Sequence, residues 1–79
     1  MDPPDDAIAH ALLRLARDRA PRSFCPSEAA RALSGDWRPL MPRVRALAAT
    51  LPLIATQKGT PVDPVTARGP IRLTLKADR

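Results

Sequence analysis

The sequence predicts a small α+β domain of the winged helix-turn-helix type, three helices followed by an antiparallel β-hairpin wing. Three observations carry that prediction. Apolar side chains recur at helical spacing in three blocks between residues 7 and 51, and a proline or glycine closes each block. From Leu53 onward the pattern switches to period two. Between these, CPSEAARALSGDWRPLMPRVRALAATL (Cys25 to Leu51) reads as a short helix, a Gly35-Asp36 break, and a second helix with arginines outward.

Residues 1–6 read as a disordered leader, in which Asp5 and Asp6 can cap free N–H groups and complement a helix dipole. From Ala7 to about Arg19, Ile8, Ala11, Leu12 and Leu15 form one face, while His10, Arg14 and Arg17 lie on the other. Ala20-Pro21-Arg22-Ser23 breaks this helix.

Pro26 suits the first position of the second helix, with Glu28 in its first turn. Ala29, Ala30 and Leu33 face inward, Glu28 and Arg31 form an outward i,i+3 pair, and Gly35 is placed to end the helix in a left-handed conformation. A turn-like segment follows around Trp37–Leu40. Pro42 cannot donate an interior hydrogen bond, so it opens a third helix, which runs to about Leu51 before Pro52 stops it. Val44, Leu47, Ala48 and Leu51 make its buried stripe, leaving Arg43, Arg45, Ala46, Ala49 and Thr50 exposed.

Leu53–Gln57 reads as a strand and Lys58-Gly59 as a turn. Thr60–Gly69 contains Pro61 and Pro64 and can pair only in part, whereas residues 70–76 alternate as a half-buried strand does. The domain thus covers residues 7–76, with a disordered tail at 77–79. Its expected core is Ile8, Leu12, Leu15, Phe24, Ala30, Leu33, Trp37, Val44, Leu47, Leu51, Ile54, Ile71 and Leu73.

At 79 residues the chain is one domain, too small to enclose a catalytic pocket easily. No apolar run reaches the ~18–20 residues of a membrane span, and the start, MDPPDDAIAH, is unlike a cationic signal peptide. A single cysteine permits no intrachain disulfide, which fits a cytoplasmic location. Cys25 lacks a neighbouring base and reads as a packed or cap-adjacent side chain. One Cys and one His cannot close a zinc site within a monomer. The three glycines are scattered, so no phosphate-cradling loop is present, and no acid/base pair is evident. No enzyme activity, cofactor or metal is therefore expected.

Charge is segregated. Residues 1–36 hold five basic and six acidic side chains, a net of −1, and residues 37–79 hold eight basic and two acidic, a net of +6. An anionic partner would use such asymmetry. A helix fits the major groove of duplex DNA, so Arg43 and Arg45 on the third helix are expected nearest the bases. Arg38, Lys58, Arg68 and Arg72 are expected on phosphates, the last three from the hairpin. With about four phosphate contacts, affinity falls ~150-fold between 50 and 200 mM salt. Trp37 reads as a core anchor rather than a base-stacking platform.

The strings CPSEAARAL, WRPLMPRVR, TQKGTPVD and ARGPIRL resemble those of a small bacterial family catalogued as a domain of unknown function, over roughly Ile8 to Leu75. The resemblance implies a winged-helix-like domain and DNA binding, with no established activity or partner. It marks Pro26, Ser27, Glu28, Arg31, Trp37, Arg38, Met41, Pro42, Val44, Arg45, Lys58, Gly59, Arg68, Gly69, Pro70 and Arg72, with roles unassigned. Where family members leave the third helix through a polar, glycine-containing turn, this chain has Thr50-Leu51-Pro52-Leu53.

The functional expectation is a DNA-binding module acting on double-stranded DNA. The alternative is a docking module for a protein partner or a homodimer, through an apolar patch around Leu13, Leu40, Met41 and the hairpin.

Overall fold

A computed structural model describes residues 2–76. Met1 and the predicted tail at 77–79 lie outside the described residues. Helix α1 spans Asp5–Arg19, α2 spans Pro26–Leu33 and α3 spans Met41–Ala48, followed by strands β1 (Leu53–Gln57), β2 (Thr60–Pro61) and β3 (Arg72–Leu75). The predicted α+β order, helices and then a hairpin wing, is present.

Helix α1 begins at Asp5, so Asp5 and Asp6 sit in its first turn instead of preceding it; the cap position is Pro4, with no side-chain cap. Their charge still opposes the positive end of the helix dipole. Ile8, Leu12 and Ala16, four residues apart, form its fully buried stripe. In α2, Pro26 occupies the first turn and Ala29 and Ala30 are buried. These small side chains let α1 and α2 approach closely. Glu28 accepts a hydrogen bond from the Cys25 backbone N–H at 3.1 Å, the backward half of a capping box.

The end of α2 differs from expectation. Positive φ occurs among the glycines at Gly59 and Gly69, not at Gly35. Instead Ser34 is extended (φ −157, ψ 141), and its hydroxyl accepts the Asp36 N–H at 3.2 Å. A serine turn does here what a left-handed glycine was expected to do. A 3-10 turn over Arg38–Leu40 then leads into α3, which ends at Ala48, three residues before Leu51. Thr50 doubly satisfies the Leu47 carbonyl there, through its backbone N–H at 3.0 Å and its hydroxyl at 2.8 Å.

The sheet order is β2-β1-β3, antiparallel throughout, with Ala55 opposite Leu73 and Thr56 opposite Arg72. Phe24 adds a one-residue bridge on the other side of β3, exchanging two 2.8 Å hydrogen bonds with Leu73. The α1–α2 connection is thereby fastened to the sheet, and the Phe24 ring is fully buried. Lys58 (φ 51) and Gly59 (φ 82) form the two-residue loop of the β1–β2 hairpin, both left-handed, as a type I′ turn requires.

The core is Ile8, Leu12, Ala16, Phe24, Ala29, Ala30, Leu40, Val44, Ala48, Ala55, Ile71 and Leu73. Leu15, Leu33, Trp37, Leu47 and Leu51 pack around it half-buried. One expectation is reversed: Ile54 points outward and Ala55 takes the inward place, because the alternation of β1 is set by the pairing with β3. No helix among the described residues is long and apolar enough to cross a membrane.

Candidate nucleic-acid interface

The six cations read from the sequence divide into distinct environments. Arg43 lies on α3, but its Nη2 donates to Asp5 Oδ1 at 2.6 Å and to the Pro3 carbonyl at 2.8 Å. Arg45, also on α3, donates from Nη1 to the Ala67 carbonyl at 2.7 Å and from Nη2 to the Gly69 carbonyl at 2.6 Å. These two arginines were expected nearest the bases. Both are engaged within the fold, one tying α3 to the start of α1 and the other tying it to the loop before β3. Each of these bonds has an ionised donor, which makes it stronger than a neutral hydrogen bond.

What α3 and the turn that ends it expose is consequently smooth: Pro42, Ala46, Ala49 and Thr50. Among these only Thr50 has a polar side chain, and its hydroxyl already donates to Leu47. The helix can approach a groove closely, yet it offers little that reads base edges.

Lys58 and Arg68 come together. They line one hollow beside the β1–β2 turn with Gln57, Gly69 and Pro70. The Gln57 amide donates to the Arg68 and Pro70 carbonyls, holding the return loop against the end of β1. Both cationic side chains belong to exposed residues with no carboxylate partner among the described residues. Gly69 closes this loop with φ 85, a conformation that side-chain-bearing residues rarely adopt.

Arg38 has a different support. Its guanidinium lies 4.6 Å from the Trp37 ring centroid, and that of Arg31 lies 4.5 Å from it. Stacking leaves guanidinium N–H groups in the plane free to donate outward, so Arg38 remains competent for phosphate. Trp37 is half-buried: it packs against the core, as expected, and also carries two cations.

Arg72 lines a second hollow, with Arg19, Arg22 and Ser23. Its Nε donates to Ser23 Oγ at 3.1 Å and its Nη2 to the Ser23 carbonyl at 3.0 Å. Arg19 and Arg22 were not singled out from the sequence, because Ala20-Pro21-Arg22-Ser23 reads simply as a helix breaker. Their juxtaposition depends on the Phe24–Leu73 bridge, which no local pattern announces.

Glu28 pairs with Arg19 at 2.6 Å, not with Arg31 as the helical spacing suggested. The Arg19 hydrogen bond, helped by the Cys25 backbone N–H, holds the Glu28 carboxyl below its ordinary value, against an opposing effect of partial burial. Cys25 is half-buried at the N-cap position of α2, with Sγ 3.0 Å from Ser27 Oγ. The predicted docking patch loses its centre, since Leu40 is only 3% exposed and belongs to the core. An apolar groove exists elsewhere, between α1 and α2, lined by Ala7, Ala11, Leu15 and Leu33.

A family described as "Protein of unknown function (DUF3253)" matches residues 5–76 of the chain. No curated protein matches it.

Proposed function

The chain belongs to the DUF3253 family of proteins of unknown function, and we propose that it binds duplex DNA through the phosphate backbone, using the wing and the turn before α3. Arg38, Lys58 and Arg68 make the contacts, and α3 supplies a close-fitting surface instead of a base-reading one. The observation that carries this reading is Lys58. It occupies the tip of the wing at φ 51, where Asn or Gly would be more comfortable. A strained position that keeps a long cationic side chain is the kind of site where function outweighs local stability. The net charge of +5 adds a long-range attraction for any polyanion.

Three phosphate contacts correspond to a log–log salt slope of about −2.7, or ~40-fold weaker binding at 200 than at 50 mM salt. Titration of a labelled short duplex at those two concentrations tests this, with the triple variant Arg38→Ala, Lys58→Ala, Arg68→Ala as comparison. Loss of both affinity and salt dependence in the variant is expected. Binding by the variant as tight as by the parent, or no binding by the parent at 50 mM salt, would overturn the reading. Arg43 and Arg45 are left intact because their removal loosens the fold.

The apolar groove between α1 and α2 favours a second reading, docking onto a protein partner or a second copy of the chain. Association that is insensitive to salt and lost on Leu15→Lys, with no response to duplex, would favour it.

A further inference from the structure

We infer that the hollow between the end of α1 and the start of β3 is a binding site for a phosphate-type oxyanion, formed by Arg19, Arg22, Ser23 and Arg72. It is independent of the proposed wing contacts, using neither Arg38, Lys58 nor Arg68.

Three segments converge there. Arg19 is the last residue of α1, and the Arg22 backbone N–H donates to the Arg19 carbonyl at 2.8 Å, closing a turn that keeps both side chains local. The Phe24–Leu73 bridge then sets Ser23 beside Arg72, the first residue of β3. The result is an open hollow of about 400 Å³ lined by Arg19, Arg22, Ser23 and Arg72.

The charges do not balance internally. Glu28 is the acidic group in contact with the cluster, and it is engaged by two Arg19 N–H groups at 2.6 and 3.3 Å. Asp18 adds a weaker electrostatic influence on Arg19. Arg22 and Arg72 are left without a carboxylate at bonding distance among the described residues. Gathering like charges in one hollow costs free energy that a bound anion removes.

The donors are also partly prearranged. Glu28 fixes Arg19, and Ser23 fixes Arg72 through the Nε and Nη2 contacts. Ser23 Oγ accepts there, so its own O–H is available to donate. Arg72 Nη1 and the whole Arg22 fork have no acceptor among the described residues. A tetrahedral oxyanion with several acceptor oxygens suits a fork, a second guanidinium and a hydroxyl. Holding two of the three arginines in place beforehand reduces the ordering cost of binding.

The test is a titration of the full chain with inorganic phosphate, followed by NMR of the arginine Nε–Hε groups and the Ser23 amide, against sodium chloride at matched ionic strength. Saturable shifts concentrated at Arg19, Arg22, Ser23 and Arg72, absent with chloride, are expected. Arg22→Gln, which removes an exposed side chain without intramolecular bonds, should weaken binding about tenfold with an unchanged melting curve. Arg72→Lys should also weaken it, since it keeps the charge and loses the fork. Parallel titrations with glycerol phosphate and with duplex DNA identify the source of the phosphate group. Duplex that shifts the same signals and is displaced by inorganic phosphate assigns it to a nucleic-acid backbone. Glycerol phosphate binding that duplex does not disturb assigns it to a small phosphomonoester. Equal responses to chloride and phosphate, or unchanged affinity in both variants, would overturn the site.

Discussion

Arg43 Nη2 stands 2.6 Å from Asp5 Oδ1, joining the exposed side of α3 to the first turn of α1 across 38 residues of sequence. The acidic start of the chain therefore meets its basic second half inside the fold. Part of the charge segregation that suggested an external anion is used internally. The wing, the Trp37 stack and the α1–β3 hollow retain the excess.

Removing this pair should have a small, salt-dependent effect. Asp5 is 66% exposed, so solvent screens the attraction and Asp5→Ala should cost about 0.2–1 kcal/mol. Arg43→Ala also loses the bond to the Pro3 carbonyl and should cost somewhat more. Urea unfolding at low and high salt measures both, and an Asp5→Ala effect that does not shrink with salt would contradict the assignment.

Arg45 should matter more. Its two hydrogen bonds to the Ala67 and Gly69 carbonyls are charge-assisted and hold the loop that returns to β3. Arg45→Ala is expected to destabilise by about 1.5–3 kcal/mol. Arg45→Lys should recover only part of this, because an ammonium cannot span two carbonyls as a fork does. Hydrogen exchange should accelerate first across residues 62–70; uniform acceleration over the whole chain would argue against a local strut.

Acid should release the Arg19–Glu28 contact. The folded Glu28 carboxyl titrates below its ordinary 4.5, chiefly because of the Arg19 hydrogen bond. A depressed carboxylate pKa contributes stability above the unfolded value, and that contribution is lost as pH falls through the folded pKa. Stability should therefore drop below about pH 4.5, and Glu28→Gln should flatten the drop while lowering stability at neutral pH. Unfolding curves from pH 7 to pH 2 for the two proteins supply the comparison.

Lys58→Asn should separate stability from binding. Asn tolerates the left-handed conformation at φ 51 better than Lys, so the hairpin should gain about 0.5–1 kcal/mol. The same change removes one phosphate contact and should reduce the magnitude of the salt slope for duplex binding by about 1. Thermal melting and the two-salt titration read the two effects independently. A variant that is more stable and binds equally well would remove Lys58 from the interface.

The sequence by itself determined the element order. The four-residue spacing of Ile8 and Leu12, Pro26 and Pro42 at helix starts, Lys58-Gly59 between alternating runs and the two prolines of residues 60–69 are local signals, and local sterics decide their outcome. The tertiary structure decided what the arginines do. A periodic pattern places Arg43 and Arg45 on the outer face of a helix, but it does not reveal that the start of α1 and the loop before β3 present acceptors there. Nor does it show that one bridge, Phe24 to Leu73, brings Arg19, Arg22 and Arg72 to a single hollow. Backbone conformation is set within a few residues, whereas a charged side chain takes whichever partner the folded chain delivers, and those partners are dozens of residues away.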